Sequence, residues 1–130
     1  DALTAIWELI GRCNKYIDQT MPWVLVKDET RHARLAEVLY TLADALQRIA
    51  IMIAPFMPQT ADKMFEGLGC NLKYGSECNI TWDMAGKSAQ YPRGIKVKKI
   101  DVLFPRIDEA QNMEKFRKLS ADLDAKLAEE

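Results

Sequence analysis

The chain has 130 residues, 48% of them hydrophobic and 28% charged, with a formal net charge of −1. That is enough chain to bury one real core, and the composition excludes a disordered polymer. The near-neutral charge excludes a free-standing nucleic-acid binder held mainly by a strong positive field, but not one contact face on a larger, multi-site protein.

Residues 1–19 carry apolar side chains at Ala2, Leu3, Ile6, Leu9, Ile10, Cys13 and Ile17, the spacing of one helical face. Trp7, Arg12 and Lys15 lie towards its flanks, and Trp7 is expected to join the core. Pro22 should end this helix and open a short turn running to about Lys27. A second helix is predicted over 30–54, capped by Thr30, with the stripe Leu35, Val38, Leu39, Leu42, Ala45, Leu46, Ile49, Met52 and Ile53. Pro55 stops it. Pro58 starts a third helix carrying Ala61, Met64, Phe65 and Leu68, ended by Gly67 or Gly69. Residues 70–94, with Gly75, Gly86, Pro92 and Gly94, read as loop, with a short extended piece at 79–82. Ile95, Val97, Ile100 and Val102 alternate with charged residues as a short strand or extended arm ended by Pro105. A last helix is expected from Asp108, with the stripe Met113, Phe116, Leu119, Leu123 and Leu127. The fold expected is all-α: a helical bundle with a short irregular, hairpin-like insertion before the C-terminal helix. Residues 1–108 are assigned to the bundle and 109–130 to the final helix. The abrupt helical start suggests a piece of something longer.

Little in the sequence promises catalysis. There is no GxGxxG or GxxxxGK[ST] phosphate loop and no GxSxG serine. His32 sits among charges at a helix start and reads as a solvated residue. Asp44, Asp62, Glu66, Asp122 and Asp124 have the spacing of solvated helix faces. Cys13, Cys70 and Cys78 lack CxxC spacing and fit reduced thiols in a cytoplasmic protein. No run is long enough to span a bilayer; the most apolar, 49–57, contains Pro55. The chain itself is therefore expected to hold no catalytic residue, no metal and no cofactor, and to have no membrane partner.

The segment from Asn14 to Lys27 is the most informative. It places a helix end, a proline break and Trp23 beside Arg12, Lys15 and Lys27. A flat aromatic fixed by a proline turn and flanked by cations suits an unstacked base, with the cations holding phosphate. The competing reading is that Trp23 plugs the end of a bundle. Arg12 and Lys15 could equally be surface charges, and Lys27 could serve its short helix's C-terminus. Asn14 could cap backbone, and Tyr16 could be a half-buried wall. Lys96, Lys98 and Lys99 read first as a solvated edge and second as a phosphate contact.

Residues 2–18 with Pro22-Trp23-Val24-Leu25-Val26-Lys27, then Leu35-Ala36-Glu37-Val38-Leu39-Tyr40, Ile53-Ala54-Pro55-Phe56-Met57-Pro58 with Gly67-Leu68-Gly69, and Leu103-Phe104-Pro105-Arg106-Ile107 resemble, in the same order, the anticodon-binding helical domain of bacterial methionyl-tRNA synthetases. The N-x-Y-x-D…P-W-x-x-x-K pattern with LFPRI favours that family over other class I synthetases. The resemblance implies recognition of the CAU anticodon within an ATP-dependent ligase that attaches methionine to tRNA(Met). Trp23 falls on the family tryptophan that stacks the first anticodon base, Pro22 on its neighbour, and Asn14 and Tyr16 on motif positions that shape the pocket. The implied partners are the anticodon stem-loop and a catalytic domain of the same polypeptide. The catalytic HIGH- and KMSKS-type signatures, the zinc-bearing connective peptide and an upstream helix that reads the cytosine edge are absent, so ATP and zinc would belong to the full-length enzyme. The equivalent domain of another class I synthetase, or a helical protein-interaction domain, are the alternatives.

Overall fold

The computed structural model describes residues 1–74, 78–106 and 108–127, and within the last helix the side chains of 112–121. Among these there are six α-helices and no strand: α1 Ala2–Thr20, α2 Pro22–Leu25, α3 His32–Ile53, α4 Pro58–Gly67, α5 Trp82–Gly86 and α6 Glu109–Leu127, with a 3₁₀ turn at Glu29–Arg31 before α3.

The spine is α3, against which α1, α2, α4 and α5 all pack. Its C-terminal half is covered on nearly every side: Ile49, Ala50, Ile51, Ile53 and Ala54 are buried almost consecutively. Ile6 from α1, Ala61 and Phe65 from α4 and Ala85 from α5 close this core. Alanines on α3 and α4 let the backbones approach, and Phe65, 1% exposed, fills the space they leave. The N-terminal half of α3 is covered on fewer sides. Leu39 there, and Leu46 further along, both expected in the stripe, are exposed. Trp7 is likewise not core: it is 55% exposed beside Leu3 on the outer edge of α1.

Two further expectations change. Thr30 does not cap α3. Asp28 caps the 3₁₀ turn instead, accepting from the Thr30 N–H at 3.0 Å and its hydroxyl at 2.6 Å, and α3 begins only at His32. Residues 95–102 form no strand. They run as a strap across the end of α4, where the Lys98 N–H donates to the Gly67 carbonyl at 2.7 Å. The strap passes so close that Gly69, at φ +69°, has no room for a side chain.

The region before the strap contains one helical turn, α5, and is organised by a carboxylate. Asp44 is not a solvated helix residue; it is 7% exposed. Its two oxygens accept the backbone N–H groups of Ala89, Gln90 and Tyr91 at 3.1, 2.9 and 3.0 Å. Tyr91 then donates its hydroxyl to the Leu68 carbonyl at 2.7 Å, and Tyr40 donates to the Tyr91 carbonyl at 2.9 Å. The Arg93 guanidinium lies 5.6 Å from the centre of the Tyr40 ring. Asp62 is also structural, accepting the Tyr74 N–H at 3.0 Å. Of the predicted α6 stripe, Met113, Phe116 and Leu119 are exposed; the side chains of Leu123 and Leu127, like those of Asp122 and Asp124, lie outside the described residues, as do Gly75 and Ile107.

Candidate nucleic-acid interface

Ile6 of α1 joins the core built on the C-terminal half of α3, while Gln19 and Thr20 meet Arg31 and Arg34. The two helices are therefore antiparallel, and the chain between them forms the tip of the molecule. α1 stops at Thr20, whose hydroxyl donates to the Tyr16 carbonyl at 2.7 Å. Met21 then takes the left-handed conformation, φ 43° and ψ 64°, while its N–H donates to the Ile17 carbonyl at 2.9 Å. A left-handed residue without glycine costs about 1–2 kcal/mol, and it reverses the chain within one residue. Pro22, which lacks an N–H and is preset for a first helical position, starts α2 at once.

α2 is anchored by Leu25, which is buried. At 100° per residue, Trp23 stands about 160° round the helix from Leu25. The indole is accordingly turned outward, 52% exposed, between Val24 and Val26, which are also exposed. Lys27 follows in the next turn and is exposed. Trp23 is thus not sealed as a plug in the core, and about half of its surface is open.

The other predicted residues divide. Arg12 and Lys15 lie about 60° apart on α1, both exposed. Tyr16, half-buried, borders the same strip where it meets the core. Asn14 is exposed but sits about 160° from Tyr16, on the edge of α1 that carries Trp7.

Beneath α2 is a cleft of about 320 Å³ lined by Gln19, Thr20, Leu25, Arg31 and Arg34. Sequence reasoning missed both arginines. Their signal was the Thr30-Arg31-His32-Ala33-Arg34 run, whose nearness to Leu25 of α2 and to the end of α1 appears only once α1 and α3 are known to be antiparallel. Arg31 Nε lies 3.4 Å from Asp28, and Arg34 Nη1 lies 3.0 Å from Glu37. The Thr30 hydroxyl and N–H, and then Arg31 and His32, hold the Asp28 carboxyl below its ordinary range. His32 is exposed at the first turn of α3, as expected.

Two larger clefts lie elsewhere among the described residues. One, about 770 Å³, lies beyond α4 and mixes Asp62, Glu66, Cys70, Lys96 and Lys98; the other, about 530 Å³, is lined by Leu39, Tyr40, Tyr91 and Arg93 among others. Burial raises the Cys13 and Cys70 thiols above their usual value, which makes them poor nucleophiles. No three His, Cys, Asp or Glu side chains among the described residues are grouped to hold a metal ion, and no helix there is long and apolar enough to cross a membrane.

Residues 1–124 match the anticodon binding domain of methionyl tRNA ligase. The chain belongs to that family. It is 45% identical over its whole length to the methionine–tRNA ligase of Caldanaerobacter subterraneus subsp. tengcongensis, covering 19% of that protein. Over 122 residues, 94% of the chain, it is 42% identical to the enzyme of Clostridium acetobutylicum, covering 18% of it. Against the Bacillus subtilis enzyme the identity is 40% over 112 residues, 86% of the chain and 16% of the relative. The chain thus spans under a fifth of the length of these ligases. The all-α architecture agrees with membership of this domain family.

Proposed function

We propose that this chain reads the CAU anticodon of tRNA(Met) as the recognition part of a methionine–tRNA ligase. The exposed indole of Trp23, on a short helix set by left-handed Met21 and Pro22, is the observation that carries the reading. An anticodon base unstacked from its loop would lie on that ring, with Pro22 fixing the ring's approach. Arg12, Lys15 and Lys27 supply positive charge along the approach, while Asn14 and Tyr16 flank it on α1. The indole holds the base but does not identify it, because every base has a π-face. Identification needs hydrogen bonds to the base edge, which the rest of the ligase would contribute alongside this chain. Activation of methionine with ATP and its transfer to tRNA belong to the remaining polypeptide, in which ATP, and zinc if present, would reside.

The test is a comparison of labelled anticodon stem-loops carrying CAU or another triplet, with the chain and with Trp23→Ala. Loss of one stacked base costs about 1–3 kcal/mol, roughly 5- to 150-fold in affinity. CAU-loop affinity should fall by that factor while the melting temperature hardly changes. Equal affinity of the two proteins for the CAU loop, or preference for the other triplet, refutes the assignment.

A further inference from the structure

We infer that Arg31 and Arg34 form a backbone clamp: the cleft they share with Gln19, Thr20 and Leu25 seats a sugar–phosphate unit of the RNA strand that leaves the base on Trp23. The inference rests on the anticodon-reading proposal and extends it to residues that nothing in the family match assigns. Three observations carry it.

The first is position. The cleft lies beneath α2, with Leu25 shared between α2 and the cleft wall, so a strand whose base sits on the outer side of α2 reaches it by turning round this single-turn helix. The second is charge. Residues 12–34 hold five arginines and lysines (Arg12, Lys15, Lys27, Arg31, Arg34) against three carboxylates (Asp18, Asp28, Glu29), in a chain whose net charge is −1. The stretch is thus net cationic, less so than residues 93–106, where Arg93, Lys96, Lys98, Lys99 and Arg106 face Asp101 alone.

The third is that the structure gives the two guanidinium groups little other work. Arginines beside a helix C-terminus often cap its carbonyls, but here the caps of α1 come from the Thr20 hydroxyl, to Tyr16, and the Met21 N–H, to Ile17. Their ion pairs, to Asp28 and Glu37, are short-range and solvent-exposed on both partners. Such pairs contribute little and exchange readily. Each uses one edge of a planar fork whose other donors match a phosphate bidentately. Leu25 gives the cleft an apolar floor suited to a ribose face, and Gln19 a polar rim.

Phosphate contacts carry no sequence information but make binding salt-dependent. The experiment measures stem-loop affinity by fluorescence anisotropy between ~50 and ~400 mM salt for the chain, for Arg31→Ala/Arg34→Ala, for Arg31→Lys/Arg34→Lys and for Trp23→Ala. Two single-strand phosphate contacts contribute about 1.4 to the slope of log K against log[salt]. The double alanine variant should lose that amount of slope, and about 25-fold in affinity near 0.1 M salt relative to 1 M. The loss should be equal for CAU and for another triplet, and the lysine pair should keep most of the slope. Trp23→Ala should do the reverse, lowering affinity with the slope intact. A double alanine variant whose slope matches the parent overturns the clamp while leaving the indole reading standing. Absence of any RNA binding by the parent chain overturns both.

Discussion

Replacing Asp44 by alanine tests how the irregular half of the chain is held to the helices. Three backbone N–H groups converge on this carboxylate, those of Ala89, Gln90 and Tyr91. Hydrogen bonds to a charged acceptor contribute about 1.5–3 kcal/mol each when the donor cannot turn to water, and less when it can. Tyr91 is buried, so its N–H would be stranded; Ala89 and Gln90 are exposed and would recover solvent. Roughly 2–3 kcal/mol for the first and ~1 each for the others gives about 4–5 kcal/mol. Removing the carboxylate also removes the cost of burying it, which brings the expected loss down to about 3 kcal/mol. At roughly 4 °C per kcal/mol for a chain of this size, the melting temperature should fall by about 12 °C. Asp44→Asn, which retains one acceptor oxygen, should lose about half as much. Thermal and urea unfolding followed by circular dichroism give the magnitude, and amide exchange at Gln90 and Tyr91 shows where protection is lost. A fall under about 2 °C, or unchanged protection at Tyr91, would refute the claim that this carboxylate organises the loop.

Two glycines should respond with opposite signs. Gly11 lies inside α1 with nothing near a Cβ, so Gly11→Ala should stabilise by about 0.5–1 kcal/mol. At Gly69 a Cβ would lie 2.6 Å from both Ile95 Cγ2 and the Lys96 carbonyl oxygen, at φ +69°. Gly69→Ala should cost about 2–4 kcal/mol from backbone strain and crowding together, read from urea midpoints. The 3₁₀ turn should loosen in acid. Because hydrogen bonds from Thr30 depress the folded-state carboxyl of Asp28, its contribution is complete above the ordinary carboxylate value and disappears as pH falls through the lower folded value. An NMR titration of the Asp28 side chain should give a midpoint below that of the same residue in the unfolded chain, and Thr30→Val should move it upward.

The helices could be read from the sequence because each depends on local periodicity and on proline: Pro22, Pro55 and Pro58 fall where α1 ends, α3 ends and α4 begins. The likeness of Pro22-Trp23 and its neighbours to an anticodon-reading family was equally legible, and the family match over 1–124 agrees with it. What escaped depends on partners far along the chain. Asp44 meets N–H groups 45 to 47 residues later, and nothing in its helical spacing distinguishes it from a solvated acid. The strap at 95–102 alternates like a strand, but its path is set by close approach to Gly67 and Gly69 rather than by a neighbouring strand. Leu39 and Leu46 continue the apolar stripe of α3, yet burial follows the elements that cover the helix, and neither residue lies on a covered side. Arg31 and Arg34 looked like helix-start charges because their shared cleft with Gln19, Thr20 and Leu25 is created by the turn between α1 and α3.

The left-handed Met21 has a consequence for how this architecture can diverge. The devices that aim the indole — the Thr20 stop, the reversal at Met21, Pro22, the Leu25 anchor and the Asp28-capped turn — all fall between residues 20 and 31. The tightest packing, around Phe65 and Ala50, draws none of its residues from that stretch. The tip is thus a short cassette on an independent chassis, and its chemistry is free to drift under selection by RNA without disturbing the packing that keeps the bundle folded.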